Sequence, residues 1–586
     1  MRSFAALVPL FALLAGIGSF AASRTKPAPP PTDAAPRVKL AVLVVFDQMR
    51  GDYLARWRPL FGAAGFRRLT TEGAWFNDCH YPYGVTTTGP GHASILTGTC
   101  PDRHGIVNNN WNEKGEDVYC AGDARYALYA PAPPPAEPKS GAKPPPGGTP
   151  ERLLSETAAD VLKRTYGSNA KVFGLSLKDR SAILPTGRAP DGAYWFDGRV
   201  ITSTYYTERL GRTYPDWAKR FVNPNRADRW FGHSWERFRP DVDYARFSGP
   251  DDSPGEGGGS EKGRSFPHPL GGVRFLEPAA FYNALANSPC GNDLLLDVAW
   301  ECIAAEDLGG DSVPDLLVVS FSSNDLVGHT WGPDSQEVLD ITLRTDALMA
   351  DFLRFLDAKV GKDQYAVVLT ADHGICPLPE VSVGKGRDAR RVNRFVLQER
   401  TEQYLRSRFS KVQATAKSSW IEAVSFPWLY LNPRLVQASG RSREEVAAAV
   451  ARFLVEPAQR ELGVAEAFTR ADLAPAVPPR SDVHQRMKRS FHPARCGDVG
   501  IVLAPLDVPS ERKPNEILKV ETGTTHGSPY DYDTHVPLIV FGPGIPGGAR
   551  NEPVTPQAAA AIVSHFLRVP PPADAEYPVP ASLFAR

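Results

Sequence analysis

A continuous apolar and largely β-branched run, Leu40 to Phe46, stops abruptly at Asp47. A strand with one wet face alternates polar and apolar residues, whereas a run with no polar position belongs to a strand covered on both faces, as inside a parallel sheet. The pattern recurs at KVFGLSL before Lys178, at DLLVVSFSS before Asn324 and Asp325, and at YAVVLT before Ala371, Asp372 and His373. DVGIVLAP, ahead of Thr524 to Gly527, and HVPLIVFGPG read as later strands of the same sheet. Helical patterns fall between them in TAADVLKRTY, NDLLLDVAWECIAAED, residues 341 to 359 and SREEVAAAVARFLV. Parallel neighbours need crossovers, which helices supply on the two faces. The expected fold class is α/β, a three-layer α/β/α core with a mostly parallel sheet and large insertions.

The 586 residues exceed what such a core requires, and composition shifts locate the surplus. Residues 1 to 22, with one early Arg and an apolar run, read as a signal peptide; an uncleaved anchor is the alternative. Residues 23 to 37 form a Pro/Ala-rich linker, and 38 to 586 the catalytic domain. Its insertions fall at about 130 to 150 (Pro-rich), 195 to 290 (rich in Trp, Tyr, Arg, Pro and Gly) and 385 to 480. The signal implies a periplasmic or secreted protein, with no stable membrane span after cleavage. Acidic and basic residues balance at 66 each, so no global field argues for a nucleic acid partner. Seven cysteines are compatible with disulfides but leave at least one thiol over, and the lack of any CxxC argues against a thiolate zinc site.

Residues 82 to 111 (PYGVTTTGPGHASILTGTCPDRHGIVNNNW) crowd three threonines beside Gly89, Pro90 and Gly91 and end near three asparagines. A strand giving way to a turn and a helix start would offer free N–H groups to an anion and expose a nucleophilic hydroxyl. The plainer alternative is a Thr-rich helix cap. Lys178 and Arg180, two apart in extended geometry, can face one phosphoryl group, a point charge beside a planar fork. Asp325 and His329 share a helical face at i and i+4. Asp372 and His373 are adjacent in a strand-end loop, and His526 lies in a later loop. One edge of a doubly wound sheet would gather all of these. Three His, three Asp, a hydroxyl, an amide and two cations form an inventory suited to two-metal phosphoryl transfer, with zinc favoured by the ligand types.

These blocks are where the chain resembles the alkaline phosphatase superfamily, in particular the secreted phosphate-irrepressible bacterial alkaline phosphatases with a threonine nucleophile. VVFDQMR, VTTTGPGHASILTGTCPDRHGIVNNNW, LSLKDRSAILPTGRAPDGAYWFD, SSNDLVGHTWG, TADHGICPLPE and THGSPYDYDTHVPLIVFG run in the family's order from residue 44 to 542. The resemblance implies an alkaline-phosphatase-like core, Thr88 as nucleophile, and Asn109, Lys178 and Arg180 as phosphate-binding groups. It also implies two zinc ions, one held by Asp325, His329 and His526 and one by Asp47, Asp372, His373 and Thr88. Small-molecule phosphate monoesters would be hydrolysed through a phosphothreonine intermediate, with weaker diesterase activity and with inorganic phosphate as product and inhibitor. The choice of Thr88 over Thr86 and Thr87, and of Asn109 among its neighbours, rests on the resemblance. A sulfatase is disfavoured because threonine cannot become formylglycine. A nucleotide pyrophosphatase/phosphodiesterase-like enzyme shares the threonine, the asparagine and the metal-binding side chains but lacks the Lys178/Arg180 pair. A metal-binding pseudoenzyme of the cell envelope would be expected to lose Thr88 or a ligand. His92, His104, His484, His492 and His535 read as supporting or packing residues, and His80, His233, His268 and His565 as ordinary ones.

Overall fold

A computed structural model describes residues 38–131, 146–222, 225–259, 262–271, 278–410, 418–513, 516 and 520–584. The expected signal peptide, the linker and most of the Pro-rich insert at 130 to 150 lie outside the described residues.

Eleven strands form the central sheet: β1 (Leu40–Phe46), β2 (Ala74–Phe76), β3 (Gly122–Tyr129), β4 (Pro146–Gly148), β5 (Val172–Ser176), β6 (Gly192–Phe196), β7 (Val200–Ser203), β8 (Asp315–Phe321), β9 (Tyr365–Ala371), β10 (Leu538–Phe541) and β11 (Gly548–Arg550). Their spatial order is β11-β2-β10-β9-β1-β8-β5-β6-β7-β3-β4. The middle five, β9 to β6, are mutually parallel, while β10 joins antiparallel on one flank and β7 on the other. Every residue of β1, β8 and β9 is buried, as their largely apolar runs lead one to expect, and polar members are paired, Asp315 accepting from the Lys171 and Gly309 N–H groups and Thr370 donating to the Pro537 carbonyl. Register matters more for function. Phe46 sits beside Phe321 and Ala371, and Ser320 beside Ser176, so the strands end level. The polar residues that follow each strand therefore emerge along one edge.

Helices α1 (Thr88–Thr97), α2 (Ala158–Tyr166), α3 (Asp179–Ile183), α4 (Pro289–Ala305), α5 (Ser323–Trp331), α6 (Gln336–Leu356), α7 (Arg443–Leu454) and α8 (Ala558–Leu567) include all four expected segments. Capping boxes at Thr157 with Asp160 and at Ser442 with Glu445 begin α2 and α7 by satisfying N–H groups that the first turn leaves open. α8 packs with α1 and α2, and α4 packs with α6, as two groups against the sheet.

One expected strand is elsewhere. Val499–Leu503, the core of DVGIVLAP, belongs to a separate four-stranded antiparallel sheet with Ile421–Ser425, Trp428–Leu431 and Val464–Thr469. An unbroken apolar run reports two covered faces but not which sheet supplies the neighbours. Here Val499 and Ile501 pack with Leu429 and Val450, and Val502 packs with Trp428 and Met487. The long excursion thus forms a cap carrying α7, and it extends past residue 480.

The aromatic-rich stretch after β7 covers α6. Trp235 Nε1 donates to Asp340 at 2.7 Å, Tyr244 Oη donates to the same carboxylate at 2.6 Å, and His268 meets Glu337 at 3.0 Å. These contacts explain how α6 buries acidic residues. In the same stretch, burial pushes the Glu256 carboxyl up to about 8. A proton held more tightly in the folded chain stabilises it at low pH, and that contribution fades as pH rises through 8. Glu256→Gln should therefore leave Tm unchanged at about pH 4 and raise it by roughly 2 °C or more at about pH 9, read by calorimetry across pH.

All seven cysteines are free thiols, six of them buried, so the disulfides that composition allows do not form. Among the described residues no helix is long and apolar enough to cross a membrane.

Candidate active site

The Thr-rich segment enters α1 from an irregular loop, not directly from a strand as expected, because β2 ends at Phe76. The loop is pinned by Ser490 Oγ, which accepts from the N–H groups of Gly84 (2.9 Å) and Val85 (3.1 Å). All ten residues of α1 are buried. Gly91 permits this position, since a Cβ there would lie 2.4 Å from the Asp372 carbonyl oxygen.

Hydrogen bonding separates the three threonines. Thr86 Oγ1 donates to the Ser528 carbonyl and Thr87 Oγ1 to Asn108 Oδ1, each at 3.0 Å. Thr88 Oγ1 instead faces ionisable groups: Arg180 Nη2 donates to it at 3.3 Å, and His373 Nε2 lies 3.5 Å away. The asparagines separate likewise. Asn108 ties Thr87 to the cap, donating to the Phe426 carbonyl at 2.7 Å, and Asn110 bonds Asp117 on a hairpin. Asn109 Oδ1 accepts from Gly89 N–H at 2.7 Å, which places its amide beside the first turn of α1. That bond commits the oxygen and leaves the Nδ2 end as the donor for a ligand.

Lys178 is extended at the N-cap of α3, but Arg180 lies in the helix's first turn, so the two are not in one extended stretch as expected. The turn forms because Asp179 Oδ1 accepts from Arg180 N–H at 2.7 Å. Both cations still converge. Lys178 Nζ lies 2.8 Å from Asp47 Oδ2 and 2.5 Å from Asp325 Oδ2. Burial disfavours its charge, yet Asp325 and Asp47 hold its pKa above the ordinary lysine value. Tyr119 Oη donates to Asp179 at 2.5 Å and accepts from Arg180 Nη1 at 3.3 Å, bracing the guanidinium. Tyr119→Phe should raise KM for phosphate esters by roughly 10-fold or more with a smaller change in kcat, since a hydrogen bond to a charged group contributes about 1.5–3 kcal/mol.

Three imidazoles share one device. His329 Nδ1 donates to the Thr524 carbonyl (2.7 Å), His373 Nδ1 to Gly374 (2.9 Å) and His526 Nδ1 to Thr86 (2.7 Å). Each tautomer is thereby fixed with the Nε2 lone pair turned inward. His329 Nε2 lies 3.2 Å from Asp325 Oδ1, and His526 Nε2 lies 3.6 Å from it. His373 Nε2 is 3.5 Å from Asp47 Oδ1 and 3.3 Å from Asp372 Oδ2. Its ring stacks on His526 with centroids 3.4 Å apart, so it bridges the two expected ligand sets: its donor atom clusters with those of Asp325 and His526 within 4.8 Å.

Asp47 Oδ1, Asp325 Oδ1 and Asp372 Oδ2 are buried and make no hydrogen bond among the described residues. Burial, and then the charge of Asp372, push Asp47 up to about 6. Burial opposes the charge on Asp325 too, but His329 and Lys178 hold its pKa well below the carboxylate range. Burial and the neighbouring His373 and His329 push His526 well below its ordinary value, which keeps its lone pair available. Surplus buried negative charge, orphaned carboxylate oxygens and inward lone pairs are what divalent cations would satisfy. The donor set fits.

Sequence reasoning placed His92 only as a supporting residue, and its geometry is specific. Nδ1 lies 3.0 Å from the Thr88 carbonyl and 3.2 Å from Asp372 Oδ2, while Nε2 meets Ser320 Oγ at 2.8 Å. With both nitrogens engaged, His92 orients Asp372 although its donor atom clusters with those of Asp47 and Asp372. Tyr119 went unnoticed because a tyrosine in a short surface hairpin carries no motif. Its signal is spatial alone.

The sequence profile of the type I phosphodiesterase / nucleotide pyrophosphatase family matches residues 41–529. Alkaline phosphatase PafA of Elizabethkingia meningoseptica is 33% identical, over 93% of this chain and 94% of its own. Alkaline phosphatase PhoV of Synechococcus elongatus is 32% identical over 92% and 91%. The crystal structure of wild-type PafA superposes with a TM-score of 0.81 at 31% identity, covering 94% of this chain and all of PafA. A PafA variant substituted at a threonine, an asparagine, a lysine and an arginine superposes with a TM-score of 0.80 at 31% identity, covering 93% and 99%. With strands ending level, a buried carboxylate–imidazole cluster beneath Thr88 and this extent of similarity, the chain belongs to the type I phosphodiesterase / nucleotide pyrophosphatase family of the alkaline phosphatase superfamily.

Proposed function

We propose that this protein is an alkaline phosphatase, a metal-dependent phosphoric monoester hydrolase that uses Thr88 as its nucleophile. The observation that carries the reading is the convergence of two half-buried cations on this edge: Arg180 donates to the one threonine hydroxyl of three that is not tied to a backbone or amide acceptor, and Lys178 spans the Asp47 and Asp325 carboxylates. The threonine and asparagine substituted in PafA lie as many positions apart as Thr88 and Asn109, and its lysine and arginine as many as Lys178 and Arg180, which supports the same quartet here.

Asp325, His329 and His526 would hold one zinc ion, and Asp47, Asp372 and His373, with Thr88, the other. Bound there, the two ions supply Lewis acidity to the attacking and departing oxygens. The chain's own groups do the rest. Arg180 and Asn109 Nδ2 hold non-bridging oxygens, and Lys178 adds a third contact, the second positive one, once the carboxylates it spans take up cations. Thr88, fixed at the first turn of α1, is presented to phosphorus from one side, and the helix N-terminus favours the anion. The result is a covalent phosphothreonine whose hydrolysis releases inorganic phosphate, and phosphate should inhibit because the site is built around it. A loose transition state makes positioning and charge the main contributions.

Metal analysis of the purified protein should return about two zinc ions per chain, and chelation should remove activity that zinc restores. Full activity without bound metal would refute the reading. A phosphodiesterase is the second reading, favoured by the family profile. A monoester carries one more negative charge than a diester, and the Lys178/Arg180 pair complements that charge. We place the protein in the periplasm or outside the cell, in keeping with its N-terminal segment.

A further inference from the structure

The cap contributes more than a cover. Between it and the catalytic edge lies a cavity of about 130 Å³. Phe426, Val502 and Leu503 of the cap and Tyr530 of the core line it, and Thr87 and His526 close its end at the active site. Of its carboxylates, Asp507 pairs with Arg390 at 3.0 Å and one oxygen of Asp533 accepts from Ser528 at 2.6 Å. What remains is an apolar, aromatic-walled space. An apolar cavity of roughly 150 Å³ holds a benzene molecule. The space therefore matches one aromatic ring.

Its position assigns its occupant. Thr88 Oγ1 lies 3.5 Å from His373 Nε2, which in turn meets Asp47 and Asp372, so in-line attack drives the departing oxygen away from that group. Lys178 and Arg180 occupy the α3 side. The remaining exit passes His526, which lines the cavity and whose Nε2 lies 3.6 Å from Asp325 Oδ1. We infer that the cavity is the leaving-group subsite, selecting phosphate monoesters whose alcohol carries a single aromatic ring one bond or so from the ester oxygen. The proposal rests on the phosphomonoesterase reading above and adds the substrate class.

Benzyl and methyl phosphate test it, because their alcohols have nearly equal acidity and differ mainly in the ring. The zinc-loaded enzyme should prefer benzyl phosphate in kcat/KM by about tenfold or more, the scale on which apolar pockets discriminate. Leu503→Trp, which fills the cavity, and Phe426→Ala, which removes a wall, should each cut that ratio at least threefold while methyl phosphate turnover stays near wild type. Turnover of methyl phosphate also certifies that each variant is folded. Titration calorimetry with 2-phenylethylphosphonate and ethylphosphonate, which carry CH2 in place of the ester oxygen and are not hydrolysed, should show the same preference in Kd and its loss in the variants. A wild-type ratio near one, or a ratio untouched by both variants, overturns the subsite while leaving the phosphatase reading intact. If neither ester is hydrolysed, the phosphatase reading falls and this inference falls with it.

Discussion

Thr88→Ala should lower kcat/KM for phosphate monoesters by on the order of 10⁴-fold or more, with the fold preserved and zinc content read in the same samples. The size follows from what the side chain does in the proposed mechanism. Without a hydroxyl at the first turn of α1 the two-step route is lost, and only positioning and charge remain for direct attack by water. The neighbours do not substitute, because the Thr86 and Thr87 hydroxyls are held at 3.0 Å by the Ser528 carbonyl and Asn108. Thr87→Ala is the informative control. It should disturb the Asn108 link and cost about tenfold or less, in line with one hydrogen bond. If the two alanine variants lost activity equally, the nucleophile would be misassigned. Thr88→Ser should retain much of the activity, and rapid quenching with a labelled monoester should trap phosphate on the wild-type chain but not on Thr88→Ala.

The second large effect concerns selectivity. Replacing Lys178 and Arg180 together by alanine removes two charge-assisted contacts of about 1.5–3 kcal/mol each, hence roughly 10²- to 10⁴-fold in monoester kcat/KM. A matched aryl diester should lose about tenfold or less, since it lacks the extra charge that the pair complements. Metal content has to be read in the same samples, because Lys178 Nζ contacts both Asp47 and Asp325. Equal losses on the two substrates at full metal occupancy would favour the phosphodiesterase reading.

Much of this was legible in the sequence because burial on both faces leaves a one-dimensional trace. The runs at Leu40–Phe46, Asp315–Phe321 and Tyr365–Ala371 could be only fully covered strands, and the ionisable residues after them marked the working edge. What local pattern could not convey was partnership. Val499–Leu503 has the same apolar character but pairs within the cap, and nothing in its composition distinguishes the two sheets. The choice among three threonines was equally hidden, since it depends on Ser528 and Asn108 reaching Thr86 and Thr87 in space. Arg180 fell into a helical turn through the carboxylate of Asp179, a contact between sequence neighbours that a strand-end motif did not reveal. Tyr119 and the Nδ1 bonds of His329, His373 and His526 likewise exist only in three dimensions.

The level ending of the strands also bears on how the enzyme matures. His526 is oriented by the Thr86 carbonyl across 440 positions of chain, and Asp372 holds the Gln48 N–H across 324. Local pairs such as Asp325 with His329 or Asp372 with His373 supply two ligands at most, and each full set draws on distant segments, so the unfolded polypeptide has no complete metal site. Topology of such high contact order folds slowly, because long loops must close before any of these contacts repays the closure. Metal capture should consequently be among the last events of maturation. Zinc would then act as a latch on a finished sheet rather than as a nucleus for it, raising stability with the logarithm of its free concentration while leaving the rate of folding unchanged.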